Sequence, residues 1–433
     1  MAFLHTRARR ICRRCDCARC GNFVHEILMA KEVRVMKYDF TTVIDRRGKD
    51  SIAADVIPVK GARVREDLAP IPMRIADMGF ATAPAVQEVI AKRLEHPVFG
   101  YFPASKEYFD SIISWHKRRN SVEGLTEEHI GYENGVLGCV TSALNAFTSA
   151  GEAVLVHAPC YVGFLHVLED LGRKIVFSNL KRDHEGIWRM DYEDMDKKMK
   201  EHNIHFAIFC SPHNPSGRVW EKGEIEKAME VYAANDAVVV SDEIWSDLIL
   251  PGQKHIPTQS ISEDARKRTI AVYAPSKTFN LAGLVGSYHI IYEKYLRDKV
   301  NRQGAITHYN SMNVLSMHAL IGAYSEGGEE WLEELRQVLQ ENVDYAYDFI
   351  SRNFEGISLA KPQGTYMLYL DCSEWLKHFG FTLDDLLLAG ASVGVIWQDG
   401  RDFGMDKTIR MNLAAPLSLI VEAFERLKKY VFN

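Results

Sequence analysis

Residues 269–283 read TIAVYAPSKTFNLAG, a short apolar and β-branched run followed directly by a lysine among small, apolar and hydroxylated neighbours. The run is typical of a β-strand that is buried on both faces. A lysine confined just beyond such a strand loses solvation, so its pKa falls and its amine becomes able to form a Schiff base. By position alone, Lys277 could equally be a solvated lysine at a strand end. The interpretation therefore depends on the other motifs of the chain.

Similar apolar runs recur before and after this stretch, and segments with helical spacing lie between them. The predicted strands are AVLVHAP (153–159), KIVFSNL (174–180), HFAIFCS (205–211), AVVVSDE (237–243), TIAVYAPS (269–276) and SYHIIY (287–292). Strands that alternate with helices form βαβ units, so the pattern predicts an α/β fold with a mostly parallel sheet covered by helices. After about residue 315, a long amphipathic helix, a strand pair and a closing helix predict a smaller α+β domain.

Three further motifs follow predicted strands or open predicted helices, where open α/β sheets bind their ligands. Asp242 in SDEIW ends an apolar run, so its carboxylate is predicted to pair with a protonated ring nitrogen. Asn214 in SPHNPSG lies in a rigid turn, and its amide is able to bond a ring hydroxyl. Gly135 and Val136 in ENGVLG begin a helix whose free N–H groups favour a phosphate. Together with Lys277, these groups match the requirements of pyridoxal 5′-phosphate.

The order of these motifs resembles that of the fold-type I pyridoxal-phosphate enzymes, the class I/II aminotransferase superfamily, from Met36 to Asn433. The resemblance implies a large domain with a mostly parallel, seven-stranded sheet and a smaller α+β domain. It also implies roles for individual residues: Lys277 for the Schiff base, Asp242 for the pyridine nitrogen, Asn214 for the ring oxygen, Tyr161 in APCYVGF for stacking on the ring, Gly135, Val136 and Ser276 for the phosphate, and Arg410 in IRMNLA for the substrate α-carboxylate.

A narrower resemblance is carried by YDFTTVIDRRGKDS (38–51), IADMGFATAPAVQEVI (75–90), HPVFGYF (96–102) and APSKTFNLAG (274–283). These stretches are similar to the cystathionine β-lyase-like C–S lyases of the MalY/PatB group. The resemblance implies a homodimer in which Tyr101 reaches the phosphate of the neighbouring subunit's cofactor.

Three reactions or roles are compatible with this set of residues. The first is α,β-elimination of cystathionine or another S-substituted cysteine to a thiol, pyruvate and ammonia. The second is transamination between an amino acid and a 2-oxo acid, which uses the same residues. The third is a regulatory protein that retains the fold without turnover. A helix-turn-helix module of the kind that some superfamily members carry is not indicated, because the residues before Met36 lack its two-helix pattern.

The chain departs from the family pattern at three places. The arginine that often follows the lysine in a G-x-R-x-G pattern is missing from GLVG (283–286). The tyrosine of the D-x-x-Y motif is replaced by Trp245, which has one N–H donor and no acceptor. Where the lyase group often reads DMDF, this chain reads DMGF, so Gly79 removes a carboxylate near the expected substrate entrance.

Length, charge and composition predict the organisation and the location of the protein. We expect residues 36–80 to contribute to the small domain, residues 81–315 to form the large cofactor-binding domain, and residues 316–433 to form the small C-terminal domain. The formal net charge is −6, although residues 1–35 are rich in arginine, so the acidic body of the chain argues against a nucleic-acid partner. No apolar stretch is long enough to span a bilayer, and a secretory signal is not recognisable, which favours the cytoplasm.

The N-terminus carries a dense cysteine cluster, ICRRCDCARCG (11–21). Its C-x2-C-x-C-x2-C spacing lacks the longer loop that structural zinc sites fold around the metal, so no metal is predicted. The family resemblance begins at Met36, a plausible start. We therefore expect residues 1–35 to be a disordered or artefactual extension that is dispensable for activity.

Overall fold

The computed structural model describes residues 36–432, and from Phe40 onward the chain forms one compact unit. Residues 1–35, with the cysteine cluster and the predicted extension, lie outside the described residues. The strands, in chain order, are β1 (Ile71–Pro72), β2 (Ile130–Asn134), β3 (Ala153–Ala158), β4 (Lys174–Asn179), β5 (Lys181–Arg182), β6 (Trp188–Arg189), β7 (Phe206–Cys210), β8 (Val238–Asp242), β9 (Thr269–Tyr273), β10 (Gly286–Ile290), β11 (Ser358–Leu359), β12 (Met367–Asp371), β13 (Val395–Ile396), β14 (Gln398–Asp399) and β15 (Thr408–Asn412).

Helices alternate with these strands in the first two thirds of the chain and dominate the last third. They are α1 (Ile52–Asp55), α2 (Pro84–Leu94), α3 (Lys106–Asn120), α4 (Val136–Phe147), α5 (Val162–Asp170), α6 (Tyr192–Glu201), α7 (Lys222–Ala234), α8 (Glu263–Arg268), α9 (Pro275–Thr278), α10 (Lys294–Thr307), α11 (Val314–Ala323), α12 (Glu326–Asn353), α13 (Ser373–Phe379), α14 (Leu383–Ser392) and α15 (Leu417–Tyr430). No helix of the described residues is long and apolar enough to cross a membrane.

The large sheet has seven strands in the order β2-β10-β9-β8-β7-β3-β4. The five strands from β9 to β4 are parallel to one another, whereas β10 runs antiparallel to both of its neighbours. Because β2 and β9 are both antiparallel to β10, they run in the same direction. The predicted α/β fold with a mostly parallel sheet is confirmed, and the carboxyl ends of β2, β7, β8 and β9 lie at one edge.

Both faces of the large sheet are buried, which explains why its strands read as nearly continuous apolar runs. Successive residues of a strand point to opposite faces. Val240 accordingly packs in one core cluster with α4 and α5, while Val239 packs in a second cluster with α6 and α7. Each buried valine of this kind stabilises the fold by about 1.5–3 kcal/mol relative to an exposed one.

A second, antiparallel sheet has four strands in the order β11-β12-β15-β14. In its register Tyr369 on β12 lies opposite Arg410 on β15, which in turn lies opposite Gln398 on β14. The short strand β1 pairs in parallel with β13. Just after β1, the segment of residues 74–80 leaves this pairing and runs toward the carboxyl edge of the large sheet, where the candidate site is found.

Candidate active site

Lys277 lies in the short helix α9, which follows strand β9 directly. Pro275 stands at the start of this helix, where its missing N–H costs nothing. The Lys277 side chain is half-buried, and its Nζ donates a hydrogen bond to the carbonyl oxygen of Ala76 (2.9 Å). Burial and, to a smaller extent, the nearby charge of Arg410 lower the pKa of Lys277 to about 8, against the opposing effect of the Asp77 and Asp242 carboxylates. Lys277 is therefore able to act as a nucleophile or a base near neutral pH.

Asp242 ends strand β8, one strand away from Lys277, and only 3% of it is exposed. Its Oδ1 accepts a hydrogen bond from the backbone N–H of Ile244 (3.1 Å). Within residues 36–432 it forms no ion pair, and burial raises its pKa to about 7. A buried carboxylate without a cation is costly, so the site is suited to a ligand that brings a positive charge, such as a protonated pyridine nitrogen.

Asn214 and Arg410 are both buried and are hydrogen-bonded to each other across the two sheets. The Nη1 of Arg410 donates to the Oδ1 of Asn214 (3.1 Å), and its Nη2 donates to the carbonyl of Arg74 (2.8 Å) and to the side-chain oxygen of Gln398. Arginine is only a donor, so this contact fixes the Asn214 oxygen toward Arg410 and leaves the Asn214 amide N–H groups for another acceptor. Burial lowers the pKa of Arg410 to about 10, so it remains a cation at neutral pH.

Tyr161 precedes helix α5 at the carboxyl end of strand β3 and packs against the core cluster that contains Val240. Burial raises its pKa, and the charges of Asp242 and Arg410 both act on it. Gly163 makes this position possible, because a Cβ on Gly163 would come within 2.6 Å of the Tyr161 ring. Tyr161 is thus brought to the same region as Asp242 and Arg410.

The predicted phosphate site lies where strand β2 turns into helix α4. Gly135 adopts a φ of +79°, a left-handed conformation that favours glycine, and Val136 is the first residue of the helix. The first N–H groups of a helix lack acceptors within it, so this end is suited to an anion. Ser276 lies beside Lys277 in helix α9. Val285 lies against Gly135 in the GLVG stretch from which the family arginine is missing. Valine is uncharged, so it does not supply the cation that this arginine would offer to a phosphate.

Tyr101 is the predicted site residue that the fold does not bring to the others. It is fully exposed, and it follows the exposed residues Val98 and Phe99 in the connection between α2 and α3. The remaining predicted residues converge on the carboxyl edge of the large sheet.

Sequence reasoning missed the contribution of the 74–80 segment, which lines the site mainly through its backbone. Asn412 donates to the carbonyl oxygens of Ile75 and Asp77 (2.6 Å each), in addition to the contacts of Ala76 with Lys277 and Arg74 with Arg410. Asn412 lies two residues after Arg410 on strand β15, hence on the same face, and that spacing is a signal that could have found it. Backbone carbonyls carry no such signal.

Asn280 ties the 74–80 segment to the turn that carries Lys277. Its Oδ1 accepts from the N–H of Met78 (2.9 Å), and its Nδ2 donates to the carbonyls of Met78 and Phe80 (3.1 Å each). Asn280 adopts a φ of +58°, which asparagine tolerates better than most residues. Asn280 therefore supplies three of the hydrogen bonds that hold the lysine turn to the segment, in addition to the bond from Lys277 to Ala76.

A partly buried ion pair stands at the outer side of the same segment. Arg46 donates to both carboxylate oxygens of Asp77 (3.1 and 2.6 Å) and to the carbonyl of Met78 (3.2 Å). Gly79 follows, with its N–H bonded to the carbonyl of Ala414 (2.7 Å). Because Asp77 also acts on the pKa of Lys277, this pair belongs to the electrostatic environment of the site.

Asp247 supports helix α9 from below the site. Its carboxylate accepts hydrogen bonds from Thr278 Oγ1 (3.2 Å) and Trp115 Nε1 (3.0 Å), and Arg119 Nε lies 3.4 Å away. Thr278 is the neighbour of Lys277, so this buried network restricts the lysine turn. The sequence offered no spacing that links these four residues.

Another buried cluster joins strand β2 to strand β10. Glu133 accepts hydrogen bonds from His289 Nδ1 (2.7 Å) and from the hydroxyl of Tyr309. Glu133, Cys139 and His289 are close enough together to hold a metal ion, but the Glu133 oxygens are already engaged. The expectation that the protein needs no metal stays a prediction.

Comparison with known proteins agrees with this geometry. The profile of the family described as "Aminotransferase class I and II" matches residues 74–427. Cystathionine beta-lyase PatB of Bacillus subtilis (strain 168) is 33% identical over 360 residues, which cover 83% of this chain and 92% of that protein. Protein MalY of Escherichia coli (strain K12) is 29% identical, and the match covers 88% of this chain and 95% of MalY.

Among solved structures, cystalysin from Treponema denticola, which contains a pyridoxal 5′-phosphate cofactor, superposes with a TM-score of 0.84. It is 32% identical, and the match covers 91% of this chain and 98% of that one. The family match spans most of the chain, and the PatB and cystalysin matches exceed 30% identity. The chain therefore belongs to the class I and II aminotransferase family, and its resemblance to the MalY/PatB group is confirmed.

Proposed function

We propose that the protein is a pyridoxal-phosphate-dependent C–S β-lyase. It would convert an S-substituted cysteine and one water into a thiol, pyruvate and ammonia. The observation that carries the proposal is that Lys277, with its lowered pKa, lies at the same sheet edge as the buried Asp242, which forms no ion pair in the described residues. The similarity to PatB, which is named a cystathionine beta-lyase, supports elimination as the reaction. The similarity to cystalysin, which contains pyridoxal 5′-phosphate, supports the cofactor.

The residues of the site fit the cofactor. Asp242 would hold the protonated ring nitrogen, the Asn214 amide would donate to the ring oxygen, and Tyr161 would cover the ring face. Gly135, Val136 and Ser276 would hold the phosphate, and Lys277 would attach the cofactor covalently. When bound, pyridoxal phosphate supplies an electron sink for the pair released as the Cα proton leaves.

The remaining steps belong to the side chains of this chain. Arg410 binds the substrate α-carboxylate, because its buried guanidinium is able to form charge-assisted hydrogen bonds with a carboxylate. The Nζ of Lys277, when it is not attached to the cofactor, would remove the Cα proton as a general base. The hydrogen bond from Nζ to the Ala76 carbonyl holds the amine at the junction of the 74–80 segment and helix α9. The Cβ–S bond then breaks, and the thiolate leaves with the bonding pair.

A homodimer with shared sites forms part of the proposal. Tyr101 is fully exposed in the single chain, and Leu94, Val98 and Phe99 beside it are more than half exposed. Contiguous exposed apolar side chains favour a protein–protein contact, as the resemblance implies for Tyr101. A sedimentation experiment should give twice the mass of the chain, and the Tyr101→Ala variant should bind the cofactor more weakly. A cytoplasmic location remains a prediction of the sequence.

The reaction is tested with the purified protein loaded with pyridoxal phosphate. Incubation with L-cystathionine or S-methyl-L-cysteine should release pyruvate in equal amount to the thiol, measured by coupled reduction of pyruvate and by a thiol reagent. Alanine with a 2-oxo acid should give much slower transfer. Faster transfer than elimination would assign the protein to the aminotransferases instead, and the absence of both reactions would favour a regulatory protein.

A further inference from the structure

Tyr366 has a fully buried side chain, yet its hydroxyl has no hydrogen-bond partner within residues 36–432. It lies immediately before strand β12 and packs edge-on against Trp245, with ring centroids 4.8 Å apart and an interplanar angle of 77°. Trp245 occupies the place of the tyrosine in the D-x-x-Y motif. A buried phenol without a partner and a missing phenol are thus neighbours in this protein.

We propose that the Tyr366 hydroxyl donates a hydrogen bond to the ring oxygen of the cofactor, in place of the tyrosine that Trp245 replaces. The inference rests on the proposed cofactor, and it holds whether the protein catalyses elimination or transamination. Tyr366 is then a catalytic residue, and it is contributed by the segment that leads into strand β12 of the four-stranded sheet. No motif of the sequence indicated this role.

The backbone around Tyr366 is held by contacts to both predicted motifs of the large sheet. The N–H groups of Gln363 and Gly364 donate to the carbonyl of Gly217 (2.8 and 3.0 Å), in the turn that carries Asn214. The N–H of Thr365 donates to the carbonyl of Leu248 (2.7 Å), in the chain that follows Asp242. The position of Tyr366 is therefore set by the same elements that present Asn214 and Asp242.

This close approach is accompanied by strained backbone. Thr365 adopts a φ of +64°, an unfavourable conformation for a β-branched residue. A Cβ on Gly217 would come within 2.5 Å of the Pro362 Cβ, so only glycine allows the two segments to meet. Strain of this kind persists where the surrounding structure over-determines it, commonly at functional sites. Here it fixes the direction in which the Tyr366 side chain leaves the backbone.

Tyr366 lies beside the charged groups of the site, because its carbonyl accepts a hydrogen bond from the N–H of Leu413 (2.8 Å), the residue after Asn412. Asp77, Arg410 and Arg46 all act on Tyr366, and Arg410 is hydrogen-bonded to Asn214, the predicted partner of the ring oxygen. Burial raises the pKa of Tyr366, so the phenol stays protonated and donates. The carboxylate side of the site already has the Arg410 cation, whose Nε has no partner in the described residues, whereas the ring oxygen has Asn214 alone. The unsatisfied donor is therefore assigned to the ring oxygen.

The test uses Tyr366→Phe, which removes the hydroxyl and keeps the ring against Trp245. A donor to the ring oxygen stabilises that oxygen as an anion and weakens its hold on the proton that it shares with the Lys277 nitrogen. Loss of the donor should raise the pH midpoint of the cofactor's visible absorption band by about one unit. The dissociation constant for pyridoxal phosphate, measured by titrating the apoprotein, should rise by about five- to twentyfold.

The matched control is Tyr108→Phe. Tyr108 is also a buried tyrosine whose hydroxyl has no partner in the described part of the chain, but it lies in helix α3 and is not among the predicted cofactor residues. This variant should leave both the pH midpoint and the dissociation constant unchanged. A second variant, Tyr366→Phe with Trp245→Tyr, should restore the original midpoint at least in part.

Each outcome decides the inference separately from the lyase reaction. Equal midpoints and dissociation constants for the wild type, Tyr366→Phe and Tyr108→Phe would overturn it. A higher KM for the amino acid with an unchanged spectrum would also overturn it, because the hydroxyl would then bind the substrate. A shifted midpoint in a protein that releases no pyruvate would support the role of Tyr366 while refuting the lyase. Failure of the wild type to bind pyridoxal phosphate would refute both.

Discussion

Two parts of the candidate site are built in different ways. The sheet-edge residues, Asn214, Asp242 and Lys277, each lie at or just beyond the carboxyl end of a strand of the large sheet, so topology alone brings them together. The 74–80 segment instead reaches the site through hydrogen bonds from distant side chains to its backbone carbonyls. The first part supplies reacting groups, and the second positions them. We therefore expect substitutions in the first part to abolish chemistry and substitutions around the second part to change binding and stability.

The largest effect is expected for Lys277→Ala. It removes both the covalent attachment of the cofactor and the proposed base, so elimination should fall by about 10³-fold or more. Pyruvate release measures the loss, while borohydride should no longer fix pyridoxal phosphate to the protein. Lys294→Ala, at an exposed helix lysine, is the control and should behave as the wild type. Elimination near the wild-type rate in Lys277→Ala would show that the proposed scheme is wrong.

Arg410→Met tests the residue that joins the two parts. Losing a buried cation that pairs with the substrate carboxylate should cost about 2–4 kcal/mol, which is roughly 30- to 1,000-fold in kcat/KM, chiefly through KM. Arg401→Met is the control, because Arg401 pairs only with surface carboxylates. If kcat falls while KM stays constant, Arg410 does not bind the carboxylate. Thermal unfolding of both variants separates this loss from a loss of folding.

The pH dependence of cofactor attachment tests how the two parts are coupled. Lys277 reacts as the neutral amine, and with a pKa of about 8 the neutral fraction rises about tenfold between pH 7 and pH 9. The rate at which the apoprotein takes up pyridoxal phosphate, followed by absorbance, should rise accordingly. Asp77→Asn removes a carboxylate that raises this pKa, so its midpoint should move to lower pH. Arg410→Met should move it to higher pH; movement in the opposite direction would refute the electrostatic account.

The smallest effect is expected for Asn280→Ala, which cuts the tether between the parts. Three hydrogen bonds to residues 78–80 are lost, so the free energy of unfolding should decrease by about 1–3 kcal/mol. KM should rise a few-fold because the segment no longer holds its place beside Lys277. Urea denaturation and steady-state kinetics measure the two changes.

A second substitution at the same position separates the causes of that loss. Asn280→Gly accommodates the φ of +58° without the side-chain hydrogen bonds, so it isolates them from backbone strain. Asn353→Ala, which removes one hydrogen bond from an asparagine at the end of helix α12, is the matched control. An Asn280→Ala variant as stable as the wild type would show that the tether contributes little.

Much of the large sheet was predictable because its signal is local. Runs such as AVVVSD and TIAVY are buried on both faces, and short apolar runs of this kind usually form buried parallel strands in an α/β protein. The direction of β10 was not predictable, because an apolar strand reads the same in either orientation. Strand β2 was missed as a strand since its sequence, IGYEN, has only one strongly apolar residue at an end.

The family, the α/β fold and the likeness of Lys277, Asp242, Asn214 and Arg410 to cofactor- and substrate-binding residues could all be predicted from the amino-acid sequence. Each of these depends on residue type and order along the chain. The three-dimensional structure was needed to find that residues 74–80 lie beside Lys277, that Arg410 orients Asn214, and that Tyr366, whose hydroxyl has no partner in the described residues, packs against Trp245. These contacts join backbone carbonyls and side chains that lie more than 100 residues apart in the sequence, and no local pattern encodes such a pairing.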